Sequence, residues 1–101
     1  AHTHLELSAL RGQVPGGAGF LPWVERFIGA RAELLPEDEA PAIEAAVEEL
    51  VASGTAAVGD VSNGLGAVGA LRRAGLAGCV FHEVFGVDEG ATLPRIEALE
   101  E

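Results

Sequence analysis

Three short apolar segments alternate with stretches of helical periodicity, and this alternation restricts the fold more than any other feature of the chain. Strand-like sequence runs from His2 to Leu7, from Thr55 to Val61 and from Ala77 to Phe85, with apolar stripes at i, i+3, i+4 spacing in between. Strands that alternate with helices in this way build βα units and a parallel sheet, so the expected class is α/β. Right-handed crossovers then lay three parallel strands side by side with helices outside, and all their carboxyl ends point one way. Functional residues of such sheets gather at that end, here Glu6 to Ser8, Asp60 to Asn63 and Glu83 to Gly86.

The helical stretches carry their own punctuation. Phe20, Trp23, Phe27 and Ile28 recur at helical spacing, with Pro22 tolerable in a first turn. Pro36 and the acidic Glu37-Asp38-Glu39 introduce a second helix with the stripe Ile43, Ala46, Val47, Leu50 and Val51 and a stop at Gly54. Asn63 is a candidate cap for a third, with the stripe Leu65, Val68 and Leu71 ending at Gly75. Thr92 and Pro94 mark the start of a fourth. The segment Arg11 to Gly19 holds four glycines and one proline, without the Gly-Lys-Ser/Thr ending or GxGxxG spacing of a phosphate cradle, and reads as a flexible cover.

Composition excludes several partners. Sixteen acidic residues against six basic ones, all six arginine, give a net charge of −10, which argues against nucleic acid and anionic membrane surfaces. The acidic runs Glu37-Asp38-Glu39, Glu48-Glu49 and Glu97 to Glu101 read as solvated helix faces and ends. Cys79 is the single cysteine, which excludes an internal disulfide; its apolar neighbours predict a small buried residue in a reducing compartment. No stretch has the roughly 18 apolar residues of a membrane span and no leader is recognisable, so the expected location is the cytoplasm. At 101 residues, starting without Met and ending in charged helix-like sequence, the chain reads as one amino-terminal piece cut at both ends, spanning 1–101.

The chemistry begins at His2 and His4. A strand rises about 3.3 Å per residue and returns i and i+2 to one face, so the two imidazoles stand roughly 6.6 Å apart at their bases and can lean toward one ion. Two imidazoles on one buried face are costly unless ligated or hydrogen-bonded. They are half of a catalytic metal centre, which needs three or more protein ligands and an open position. His82 lies on the strand face opposite Glu83 and reads as a structural histidine packed against helices. Glu83, among Phe81, Val84 and Phe85, needs a partner: either a substrate or one of the arginines. Glu6 near the rim serves either the metal's surroundings or substrate, Trp23 either packs or lines the entrance, and Asp60 and Asn63 fix the loop after the second strand by capping.

The segments His2-Thr3-His4-Leu5-Glu6-Leu7-Ser8, Phe20-x-x-Trp23, Gly59-Asp60-Val61-Ser62-Asn63 and Phe81-x-Glu83-Val84-Phe85-Gly86 together resemble the amidohydrolase superfamily. The likeness is strongest to its cytosine-deaminase and chlorohydrolase-like branch, which includes the aminodeoxyfutalosine deaminases. It implies a (β/α)₈ TIM barrel of which this chain holds the first three strands, with His2 and His4 as ligands to zinc or iron and the remaining ligands and proton-handling glutamate on later strands. It implies a substrate contact for Glu83, beside which Glu6 at the rim and Trp23 at the entrance are the other substrate-binding candidates, and deamination of an amino-purine nucleoside or related heterocycle, the fragment alone being inactive. Hydrolysis of another C–N, C–Cl or amide bond is the alternative on the same scaffold. A non-catalytic α/β interaction module is the rival from another class. An isolated barrel piece has unpaired edges and is expected to self-associate, whereas an autonomous module is a chelator-indifferent monomer.

Overall fold

A computed structural model of the chain describes residues 1–85. Its elements are β1 (His2–Thr3), a 3₁₀ helix (Leu5–Leu10), α1 (Phe20–Glu33), α2 (Pro36–Ala52), β2 (Ala57–Ser62), α3 (Ala67–Ala74) and β3 (Ala77–His82). The three strands form one parallel sheet in the order β1-β2-β3, with His2 opposite Gly59, Thr3 opposite Asp60, and Ala77 to His82 opposite Ala57 to Ser62. The α/β class and the parallel sheet with flanking helices are as expected from the alternating pattern.

The first strand is much shorter than the predicted His2 to Leu7. The main-chain N–H of Leu5 donates to the Asp60 carboxylate instead of to a neighbouring strand, and Leu7 N–H donates back to the His4 carbonyl. A side chain has taken the ladder's next donor, so the strand ends and the chain coils inward, burying Leu5, Glu6 and Leu10. His4 therefore sits just beyond β1, not deep within it. The third strand likewise ends at His82, before Phe85.

The core lies on one face of the sheet. Leu5, Ile43, Val47, Val58, Ala67, Ala70 and Leu71 form it, with Ala46, Leu50, Leu76 and Val80 packed around them. Alternation along β2 explains the arrangement: Val58, Asp60 and Ser62 are buried toward the helices while Gly59 and Val61 turn the other way. Opposite Gly59 and Val61 stand Cys79 and Phe81, both exposed. Cys79 is thus not the buried residue its apolar neighbours predicted; the register puts it on the face that no described helix covers. Gly78, across from Val58, permits the close approach of β2 and β3, since a side-chain carbon there would overlap the Val58 carbonyl.

Of the helical stripes, that of α2 is the most faithful, with Ile43 and Val47 buried and Ala46 and Leu50 against the core, although Val51 is exposed. In α3 the buried set is Ala67, Ala70 and Leu71, so of the predicted stripe Leu65, Val68 and Leu71 only Leu71 is buried, the first two being half-buried, and the helix starts after Gly66. Asn63 does not cap it; Gly66 occupies that position, while Gly75 ends the helix in the left-handed conformation at φ +66°. The stripe of α1 buries no residue among those described. The predicted fourth helix at Thr92 and Pro94, and the acidic run Glu97 to Glu101, lie outside the described residues. No helix among the described residues is long and apolar enough to cross a membrane.

Candidate metal half-site and its polar support

His2 and His4 are brought together. Their Nε2 atoms stand 3.1 Å apart, with ring centroids at 5.0 Å and planes inclined by 72°. Two imidazoles at that distance either share a proton or converge on a cation. Tetrahedral zinc with Zn–N bonds of about 2.0–2.1 Å places two ligand nitrogens about 3.3 Å apart, so the spacing fits a common ion with little movement. Both rings are exposed and share the face that carries Gly59, because Thr3 between them is turned toward buried Asp60. Among the described residues no third His, Cys, Asp or Glu joins them to make a complete metal-binding group.

A separate set of buried polar contacts is centred on Glu6. Its Oε1 accepts from the Arg31 guanidinium (3.0 Å) and the Asn63 N–H (2.8 Å), and its Oε2 from the Ser62 hydroxyl (3.0 Å) and the Gly64 N–H (3.0 Å). Burial raises the pKa of this carboxyl, but the two N–H groups, the hydroxyl and the guanidinium outweigh it, and the carboxyl lies below its ordinary value. All four acceptor positions are engaged. Arg31 also donates to the Asn63 side-chain oxygen at 2.6 Å, and the Asn63 amide nitrogen donates to the Glu83 carbonyl at 2.7 Å. His82 Nε2 meets the Asn63 carbonyl at 3.0 Å, so this histidine is tied to the loop after β2.

The other residues singled out from the sequence are dispersed around this centre. Glu83 is half-buried just past β3; its N–H continues the ladder to the Ser62 carbonyl, and its carboxylate forms no ion pair among the described residues. Trp23 stacks with Phe27 at 5.5 Å and Phe20 at 6.5 Å on α1. With Val24, Phe27, Ile28 and Phe85, and with Arg31 at one end, it lines an open groove of about 680 Å³. Arg31 and Ser62 escaped the sequence reading. Arg31, a cation on the same side of α1 as the aromatic residues, was a visible signal, but its partner lies 25 residues away; Asp60, expected to fix the loop after β2 by capping, instead accepts from Thr3 and Leu5 at the end of β1.

The chain is 34% identical over 62 residues to an aminodeoxyfutalosine deaminase from a Nitratiruptor species. The similarity covers 61% of this chain and only 15% of that enzyme. No protein-family profile matches the chain. No solved structure matches it.

Proposed function

We propose that this chain forms the opening strands of a (β/α)₈ metal-dependent aminohydrolase, in which His2 and His4 hold zinc or iron and an amino-purine nucleoside or related heterocycle loses ammonia to water. The observation that carries the reading is the convergence of the two Nε2 atoms, 3.1 Å apart, on the sheet face bare of described helices. The partial likeness to a deaminase supports it. The metal, when bound, supplies Lewis acidity that makes water a nucleophile near neutral pH.

The residues of this chain would divide the remaining work. Glu6 is fully engaged within the protein, so its part is to fix the loop after β2 and the position of α1 through Arg31. Glu83, with a carboxylate free of described ion pairs, is the candidate for a hydrogen bond to substrate. Trp23 and its aromatic neighbours offer a flat apolar wall suited to a heterocycle. The small-molecule substrate, the absence of nucleic-acid and membrane partners, and a cytoplasmic location are part of the same proposal, the net charge of −10 supporting the exclusion of polyanions.

Metal analysis and an ammonia-release screen over amino-purine nucleosides test it, using the longest natural protein that contains this chain. Stoichiometric zinc or iron, lost in a His2→Ala/His4→Ala variant together with ammonia release, is the expected result. A preparation free of transition metal that still deaminates, or one unaffected by the double substitution, overturns it. The 101-residue chain alone is expected to release no ammonia, because two imidazoles leave the metal's coordination incomplete.

A further inference from the structure

The carboxylate of Asp60 is fully buried in the middle of an apolar strand, a placement that costs free energy unless it is matched by specific contacts. Only one of its oxygens is matched. Oδ1 accepts from the Thr3 hydroxyl at 2.8 Å and from the Leu5 main-chain N–H at 2.8 Å, while Oδ2 has no partner among the described residues. Those two donors flank one residue, His4. The same oxygen therefore holds the chain immediately before and after the histidine, ends β1 at that point, and turns Thr3 inward so that the rings on either side of it face outward together. No other described group accepts from the Thr3 hydroxyl or the Leu5 N–H.

We infer that Asp60 is a positioning residue for the His2–His4 pair: by bracketing His4 from the buried side of the sheet, it sets the two ring nitrogens at the separation a single divalent cation requires. The inference rests on the metal reading above, and adds to it a residue on a different strand that touches neither ring. The unpartnered Oδ2 supplies the control. Asp60→Asn keeps an oxygen able to accept both hydrogen bonds and places its amide where no donor is displaced, so it preserves the bracket while removing the charge. Asp60→Ala removes the bracket altogether. Thr3→Val removes half of it at the strand edge, with little change in volume.

Zinc(II) titrated calorimetrically into the metal-depleted form of the longest natural protein that contains this chain, with thermal unfolding of each variant as the folding control, reads the outcome. Removing a partner that orients a metal-binding histidine costs about 10- to 100-fold in affinity, which is the loss expected for Asp60→Ala. Thr3→Val is expected to lose several-fold and Asp60→Asn to stay within about threefold, since its acceptor is intact. In the same protein without metal, a nuclear Overhauser contact between the Hε1 protons of His2 and His4 is expected in the wild type and Asp60→Asn, and its loss in Thr3→Val and Asp60→Ala. Undiminished zinc affinity in folded Thr3→Val or Asp60→Ala overturns the inference, as does a loss in Asp60→Asn equal to that in Asp60→Ala. If Asp60→Ala does not fold, Thr3→Val decides alone. A His2→Ala/His4→Ala chain that binds zinc like the wild type overturns the metal reading itself, a result distinct from the others.

Discussion

Glu6 shows how one side chain can join three separate parts of the fold. Its carboxylate gathers a cation from α1 and three donors from the end of β2 and the loop that follows. Glu6→Gln removes the charge and turns a donor toward groups that are themselves donors, and is expected to cost about 1.5–3 kcal/mol in urea unfolding, the range for hydrogen bonds to charged groups. The pH dependence follows from the direction of its shift. Because the folded carboxyl titrates below the unfolded one, its contribution is fully present above the unfolded value of about 4.5, and is lost as pH falls through the lower folded value. Unfolding free energy measured from pH 6 downward should therefore fall more steeply in the wild type than in Glu6→Gln; parallel curves would remove Glu6 from this role. The acid at the end of the first strand was evident from sequence, and the arginine that meets it was not, since nothing in local spacing pairs residues 6 and 31.

At the level of elements, period and partner carry different information. The stripes of α1 and α2 have the same helical spacing, and both helices form, yet only α2 presses Ile43 and Val47 into the core. Phe20 and Ile28 of α1 are 74% and 61% exposed. Periodicity announces a helix and its apolar side; what that side meets depends on the rest of the assembly. Ile43→Ala should cost roughly 2–4 kcal/mol by leaving a cavity beneath Val58, whereas Ile28→Ala should stay within about 0.5 kcal/mol. Chemical denaturation of the two variants compares them directly, and an equal loss would mean that α1 is packed more tightly than its exposure indicates. The strands were legible for the same reason as α2, through short apolar runs between turn residues. The ends of β1 and β3 were not, because in β1 a distant carboxylate takes the ladder's next donor.

Among the described residues, the molecule is built on one side only. Helices cover the face of the sheet that carries Val58, Asp60 and Ser62, whereas the opposite face presents His2, Cys79 and Phe81, and both outer strands have an unpaired edge among the described residues. Apolar surface and free edges favour association, and a net charge of −10 opposes it. Salt screens that repulsion over about 10 Å at 0.1 M, so sedimentation velocity should show self-association rising with both protein and salt concentration. A monomer at every salt concentration would instead favour an autonomous module. The shared direction of the strands was readable from the alternating pattern, but the side left uncovered was not, since it depends on where the crossing helices settle.

The turn after β2 has a consequence for motion. Three successive amides are occupied there, with Asn63 and Gly64 donating to Glu6 and Leu65 to the Ser62 hydroxyl, and Glu83 N–H fastened to the Ser62 carbonyl alongside. Tight turns at a rim ordinarily exchange their amide hydrogens for solvent deuterium early, because their main-chain groups open without disturbing anything else. Here, opening the turn means pulling a carboxylate out of the interior. Its amides should exchange as slowly as those of the strand itself, making this bend one of the stiffest stretches of backbone in the molecule.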